Sequence, residues 1–216
     1  MTKAVLFSGG KESLYAAVLE WPVDSFVILI YEFPRPSPHL LNLHAVVTSA
    51  ALTGKPAYVV KLIKGRELEE TAAALRRLGT DVIVAGDVNI EDHLKYMENL
   101  AREAGATLIE PLWGMDPEEV LLKEVESGIE SLVIGVSEKV PRRWLCRTID
   151  KSSYQELLED SRKCGFDPIG EFGEYHTQVI KAPIIKGVLK YVCREWDVIS
   201  SYSIAILEPY RTHSEE

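Results

Sequence analysis

Long apolar runs are missing from this chain of 216 residues. No stretch approaches the ~18 apolar residues of a membrane-spanning helix, and the run before Ser8 is too short for a secretion signal. Cysteine is scarce: Cys146, Cys164 and Cys193 are odd in number, far apart and free of any CxxC spacing. That argues against a disulfide scaffold, a zinc ribbon and a dithiol redox site. Basic residues are outnumbered, 24 Lys and Arg against 33 Asp and Glu, giving a formal net charge of −9. A nucleic-acid coat, whose affinity comes from many basic contacts to phosphate, is therefore not expected, although one local basic patch is not excluded by the net charge. HExxH, GxSxG and the Walker loop GxxxxGK[ST] are all absent, as are internal repeats. What is present is an ordinary globular balance, 46% apolar and 26% charged, on a chain long enough to bury a large core. The expectation is an acidic, soluble, cytoplasmic protein.

The first two thirds alternate strand-like and helix-like runs. Residues 4–7, 25–31, 57–62, 81–85, 106–109 and 132–134 read as strands, and 25–31 is apolar without alternation, as a strand buried on both faces should be. Between them lie helical stripes: Leu14, Ala17, Val18 and Trp21; Leu43, Val46, Val47 and Ala50; Leu68, Ala72, Leu75 and Leu78; Leu94, Met97, Ala101 and Ala104. Gly54, Gly79 and Gly105 stop the last three. Asp116-Pro117-Glu118-Glu119 opens another helix, with Asp116 as cap and Glu119 completing a capping box. The pattern predicts an α/β fold: a mostly parallel sheet with helices on both faces. The last third differs. Ser153 to Glu156 has capping-box spacing for a helix closing at Gly165, and residues 175–180, 187–193 and 198–207 then read as antiparallel strands. We expect a boundary near residue 140, giving a larger part at 1–140 and a smaller, tightly packed, strand-rich part at 141–216.

The sharpest local signal is Ser8-Gly9-Gly10-Lys11-Glu12-Ser13, between the first strand and first helix. A helix N-terminus presents unpaired N–H groups and a positive dipole end, and glycines let the backbone approach an anion. Ser8, Lys11 and Ser13 add donors, so this geometry suits phosphates at the carboxyl edge of a parallel sheet. The plainer alternative is a turn that needs glycine beside a solvated lysine. Gly86-Asp87 follows another strand at that edge, where Asp87 can hold a ribose hydroxyl or magnesium, or be a simple turn residue. Gly135-Val136-Ser137 is placed on the same edge. In Gly170-Glu171-Phe172-Gly173-Glu174-Tyr175-His176-Thr177, paired carboxylates can bind magnesium, hold ammonium or accept a proton from an amine; a polar turn is the alternative. His39, Asn42 and His44 cluster beside the proline-rich loop at 34–38, and Arg142-Arg143 reads as a solvated face.

These pieces together resemble the PP-loop ATP pyrophosphatases (the adenine-nucleotide α-hydrolase superfamily), and more narrowly the diphthine–ammonia ligase family. The SGGxxS signature is Ser8 to Ser13, with Glu12 where the family often has Asp. His39 with Asn42-Leu43-His44, Gly86-Asp87-Val88, Pro111-Leu112-Trp113-Gly114 and residues 170–177 follow in family order. Phe172 stands where Gly or Asn is common. The resemblance, over about residues 4–182, implies an ATP-dependent ligase using Mg2+. It would convert diphthine on elongation factor 2 to diphthamide through an acyl-adenylate, with ammonium as amine donor and AMP and pyrophosphate as products. It implies catalytic roles for Lys11, Glu171 and Glu174, and nucleotide contacts from Ser8, Gly9, Gly10, Lys11, Glu12, Ser13, Gly86, Asp87, Gly135 and Ser137. Acceptor contacts fall to His44, Gly173, Tyr175, His176 and Thr177. No membrane or direct nucleic-acid partner is expected, a homodimer is compatible, and ammonia has no glutaminase source within the chain. The alternatives are a PP-loop enzyme amidating another acceptor or modifying tRNA, and a non-catalytic ATP or AMP sensor.

Overall fold

The computed structural model describes residues 1–31, 37–199 and 202–209; residues 34–36 of the proline-rich loop lie outside these. Strands β1 (Lys3–Leu6), β2 (Ser25–Ile30), β3 (Ala57–Lys61), β4 (Val82–Val84) and β5 (Thr107–Ile109) form one sheet in the order β3-β2-β1-β4-β5, every pair parallel. Alternate residues of each strand serve opposite faces. Ala4, Val27 and Ile83 pack with Ala72, Leu75, Met97 and Leu100 on one face. Val5, Phe26, Ile28 and Val84 pack with Leu14, Val46 and Val120 on the other. The helices responsible are α1 (Lys11–Leu19), the one-turn α2 (Pro38–Leu41), α3 (Leu43–Ala51), α4 (Glu67–Arg77), α5 (Glu91–Ala104) and α6 (Pro117–Glu126). Trp21, expected on the first stripe, falls beyond α1. The order in which strands are added reverses between β1 and β4, which opens a crevice at their carboxyl ends.

Asp116 caps α6, its Oδ1 accepting the amides of Glu118 at 2.9 Å and Glu119 at 3.2 Å. The reciprocal half of the expected box is not made; Glu119 reaches forward to Lys123 at 2.7 Å.

The second sheet holds β6 (Glu130–Ser137), β7 (Thr148–Ile149), β8 (Tyr175–Lys181), β9 (Tyr191–Ile199) and β10 (Tyr202–Pro209), with α7 (Tyr154–Cys164) between β7 and β8. β6 pairs antiparallel with β7, β8 and β10, and β10 with β9. This corrects the placement of residues 132–134 in the parallel sheet. A strand buried on both faces carries the same apolar composition in either kind of sheet, so its sequence does not choose the partner. The change of sheet falls between Ile109 and Glu130. The final hairpin also turns later than expected, because β9 runs on to Ile199.

The capping box expected at Ser153 and Glu156 is replaced. Asp150 Oδ1 accepts the amides of Ser152 and Ser153 at 2.8 and 3.1 Å, while Glu156 pairs with Arg147 at 2.7 Å.

Cys146 and Cys193 form a disulfide, Cα atoms 5.6 Å apart across 47 residues of sequence. Their separation gave no sign of this; antiparallel pairing brings the strand β9 beside the turn after β6. A cross-link closing so long a loop stabilises by ~3–4 kcal/mol in the chain-entropy model. Cys164 is free and exposed.

One apolar cluster runs unbroken from the parallel sheet through α1 and α6 to Val133, Trp144, Leu157 and Val179 of the second part. Buried Asn42 adds a polar stitch: its Nδ2 donates to the carbonyls of Pro38 and Ala205, both at 2.9 Å, and its Oδ1 accepts the Leu207 amide at 2.8 Å. No helix among the described residues is long and apolar enough to cross a membrane.

Candidate active site

The crevice at the β1/β4 switch is a cavity of about 970 Å3, at the upper end of the ~300–1,000 Å3 common for small-molecule pockets. Its first wall is the turn from β1 into α1. Gly9 has φ +90°, in the left-handed region, and a Cβ there would lie 2.7 Å from Val46 Cγ2 and 2.9 Å from Gln178 Oε1. Glycine is required on both counts. Ser8 and Ser13 hydroxyls meet at 3.1 Å, and Ser8 Oγ accepts the Gly10 amide at 3.2 Å. Gly10 is the N-cap and offers no capping side chain, so the positive end of α1 faces the cavity. The Lys11 amide is taken by Thr177 Oγ1 at 3.2 Å, which ties this wall to β8.

Gly86 closes on the same helix end from β4. A Cβ on it would lie 2.8 Å from the Glu12 carbonyl carbon and 2.9 Å from the Ser13 nitrogen. Asp87 beside it lines the cavity and meets His93 Nδ1 at 3.1 Å, a hydrogen bond that raises the imidazole pKa. Glu110, at the end of β5, is pushed up to about 7 by burial and then by Asp87.

Lys11 does not face the cavity. Its Nζ is buried under the loop, where it donates to the Ile169 carbonyl at 3.1 Å, pairs with Glu12, and lies 3.4 Å from Glu124 on α6. Tyr175 stacks its ring 5.5 Å away. Burial lowers the lysine pKa and lifts Glu124 to about 7, each opposed by the other's charge. The expected solvated or phosphate-facing ammonium is thus an internal strut, because α1 packs its N-terminal turn against α6.

The second wall is the turn before β8. Three carboxylates organise it by accepting backbone amides. Asp167 Oδ1 takes Ile169 N at 2.9 Å and Glu171 N at 3.3 Å. Glu174 takes Phe172 N at 3.1 Å and Asp167 N at 3.4 Å. Glu171 reaches across to the parallel sheet and takes Val88 N at 3.0 Å and Asn89 N at 3.3 Å. Gly170 has φ +75°, and a Cβ on it would lie 2.8 Å from the Tyr175 carbonyl oxygen. Tyr175 is buried, its hydroxyl donating to Pro168 O at 2.7 Å.

The expected residues therefore separate. Ser8, Gly10, Glu12, Ser13, Gly86 and Asp87 line the cavity from one side, and Glu171, Gly173, Tyr175, His176 and Thr177 from the other. Gly9 and Lys11 stand behind the first wall, and buried Glu174 behind the second. His44 lies off the cavity, exposed on α3 with its ring 6.1 Å from Tyr191. Gly135 and Ser137 sit within β6 of the second sheet, not on the parallel edge where they were placed. Sequence reading passed over Glu110, Glu124, Asp167, His93 and Tyr202. Glu124 is one acid in the run Glu118–Glu126, and only its 1% exposure distinguishes it. Among the described residues no three His, Cys, Asp or Glu side chains converge as a metal site.

Two family models match the chain: the diphthamide synthase N-terminal domain over residues 1–108 and the diphthamide synthase C-terminal domain over residues 116–206. A curated Rattus norvegicus protein named diphthine–ammonia ligase is 25% identical over 219 residues, spanning 86% of this chain and 81% of that protein. The Homo sapiens protein of the same name is 24% identical over 217, with the same coverage. A solved structure from Methanocaldococcus jannaschii, described as a predicted subunit of a tRNA methyltransferase, covers 85% of this chain and 98% of its own at 16% identity and TM-score 0.43. With models covering both of its sheets, the chain belongs to the diphthamide synthase family.

Proposed function

We propose that the chain is an ATP-dependent carboxylate–amine ligase that amidates diphthine on elongation factor 2 to diphthamide. The name of its relatives supports the reaction. The observation that carries the reading is one cavity lined both by the N-terminal turn of α1, whose N-cap Gly10 has no side chain to cap it, and by the glycine-hinged turn at 170–173. A carboxylate oxygen of the acceptor attacks the α-phosphorus of ATP, and the bond to pyrophosphate breaks, leaving an acyl-adenylate. Ammonia then attacks the acyl carbon, the bond to AMP breaks, and the nitrogen loses a proton.

Each group has a task in this scheme. The α1 amides with Ser8 and Ser13 stabilise the charge that develops on departing pyrophosphate. Leu6, Ala85, Ile90 and Met97 line an apolar part of the cavity suited to a purine base. Lys11 acts from behind, holding Glu12 and the 169 carbonyl in register. Glu171 lines the cavity as a carboxylate able to attract ammonium, and Glu174 shapes the turn that presents it. Magnesium keeps several waters and needs only one or two carboxylates besides phosphate oxygens, so Asp87 and Glu171 suffice without a preformed cage. The parallel sheet is then the nucleotide part, and the second sheet the acceptor part.

Nucleotide product analysis tests this. The protein is mixed with Mg-ATP, ammonium and elongation factor 2 carrying diphthine, and AMP with pyrophosphate is expected only from the full mixture. AMP without the factor places the chemistry but overturns the acceptor. ADP, or tight ATP binding without turnover, overturns the adenylation step in favour of a sensor.

A further inference from the structure

Part of the cavity wall has no task in the nucleotide chemistry above. There, His39 of α2, His176 of β8 and Tyr202 of β10 set three rings side by side. The His39 and His176 centroids are 5.2 Å apart with planes at 78°, and His176 and Tyr202 are 5.8 Å apart at 52°. Gly135 makes room for the set, since a Cβ there would lie 2.8 Å from Pro38 Cγ and 2.9 Å from Tyr202 Cε1. The Asn42 stitch locks the segment bearing His39 to β10. The rings are thus built in by three separate elements. His39 Nδ1 and the Tyr202 hydroxyl have no hydrogen-bond partner among the described residues.

The electrostatics of this wall favour one kind of ligand. Burial holds His39 down to about 3 and His176 to about 4, so both imidazoles are neutral at physiological pH. The Tyr202 hydroxyl is pushed up by burial and then by the Glu174 carboxylate, which places a negative charge on this side. The Tyr202 face, with the Glu174 carboxylate on its side, attracts a large, weakly hydrated cation, and the neutral imidazoles add no opposing charge. A quaternary ammonium can be held in this way without a hydrogen bond, because it has no N–H.

Position agrees with chemistry. Diphthine carries a trimethylammonium group on the carbon that bears its carboxylate, so cation and reacting oxygen stay within a few bonds of each other. His39 lies against the phosphate-facing turn, its Cε1 3.7 Å from where a Gly10 Cβ would be. We propose that His39, His176 and Tyr202 form the subsite that recognises the quaternary ammonium of the acceptor and thereby sets its carboxylate beside the α1 turn. This rests on the ligase reading.

The test uses the full chain without nucleotide, ammonium or elongation factor. Glycine betaine, a trimethylammonio carboxylate, is titrated while the imidazole and Tyr202 ring protons are followed by NMR. Its isostere tert-butylacetate, which keeps the carboxylate and replaces the trimethylammonium by a neutral tert-butyl group, is titrated in parallel. Betaine should shift all three rings and bind at least about fivefold more tightly than the isostere. Tyr202→Phe should keep that preference, and Tyr202→Leu should reduce betaine affinity about fivefold. Equal binding of the two probes, no shift at the rings, or an unchanged affinity in Tyr202→Leu overturns the subsite. If Tyr202→Leu does not fold, the isostere comparison on the unaltered chain decides alone. Failure here leaves AMP formation untouched, whereas betaine binding without any AMP formation leaves the subsite standing and removes the ligase.

Discussion

On one wall of the cavity lies the N-terminal turn of α1, where Gly86 lets main chain approach main chain and Gly9 leaves room for the side chains of Val46 and Gln178. The other wall presents side chains carried by a turn that its own carboxylates hold in shape. The difference teaches how to read the charges. Lys11 on the first wall and Glu174 on the second both suggest direct catalysis by type and spacing, yet both are buried behind the surface they support. The cavity itself is lined by Ser8, Ser13, Asp87, Glu171 and the rings of His39, His176 and Tyr202.

The largest expected effect breaks the first wall from behind. Lys11→Met leaves Glu124, 1% exposed, without its counter-charge, which should cost about 3–5 kcal/mol in urea unfolding. Adding Glu124→Leu should recover most of that loss. Recovery of stability without recovery of ATP affinity would return Lys11 to a direct role.

Gly86→Ala attacks the same wall from the front. Its methyl has no space beside the Glu12–Ser13 peptide, so overpacking should cost about 1–3 kcal/mol. ATP binding, read by calorimetry, should weaken at least about tenfold, or ~1.4 kcal/mol.

On the second wall, Glu171→Ala should cost about 2 kcal/mol through two charge-assisted bonds, whereas Glu171→Gln keeps an acceptor oxygen and should cost less. Amide exchange at Val88 and Asn89 should quicken in the alanine variant alone.

The rings contribute one part of the pH response. Below the ordinary imidazole value of 6.5, the unfolded chain binds protons that folded His176 refuses until about 4 and His39 until about 3. Their contribution to stability is full above pH 6.5 and is lost as pH falls toward 3, but down to about 4.5 it is opposed by Glu110 and Glu124, whose raised values keep protons on the folded chain. The fall in urea midpoints should therefore be steepest below about pH 4.5, and His176→Phe should reduce it. The smallest effect is remote from both walls: Asp116→Ala should cost about 1 kcal/mol as a lost cap, with ATP binding unchanged.

Much of the first sheet was legible. The stripes of α4 and α5 stop at Gly79 and Gly105 as read, and the crevice forms where Ser8–Ser13 and Gly86-Asp87 both end strands. These are short-range signals, in which periodicity and a cap suffice. Long-range choices were not legible. β6 looks like a parallel strand by composition and pairs antiparallel. Ser153 and Glu156 have the spacing of a box, but Asp150 and two arginines compete more strongly for the same groups. The Cys146–Cys193 bridge depends on which strands meet across 47 residues.

By itself, the sequence determined the alternation of strand and helix, the glycine turn at a helix N-terminus, and the polar turn before β8. Each is written in neighbouring residues whose backbone preferences act within a few positions. Only the tertiary structure decided that Lys11 turns inward to Glu124, that Glu174 closes a turn, and that His39, His176 and Tyr202 meet. A long charged side chain or a ring can reach several destinations from one backbone position. Which one it takes is set by the burial and the partners that remote segments supply.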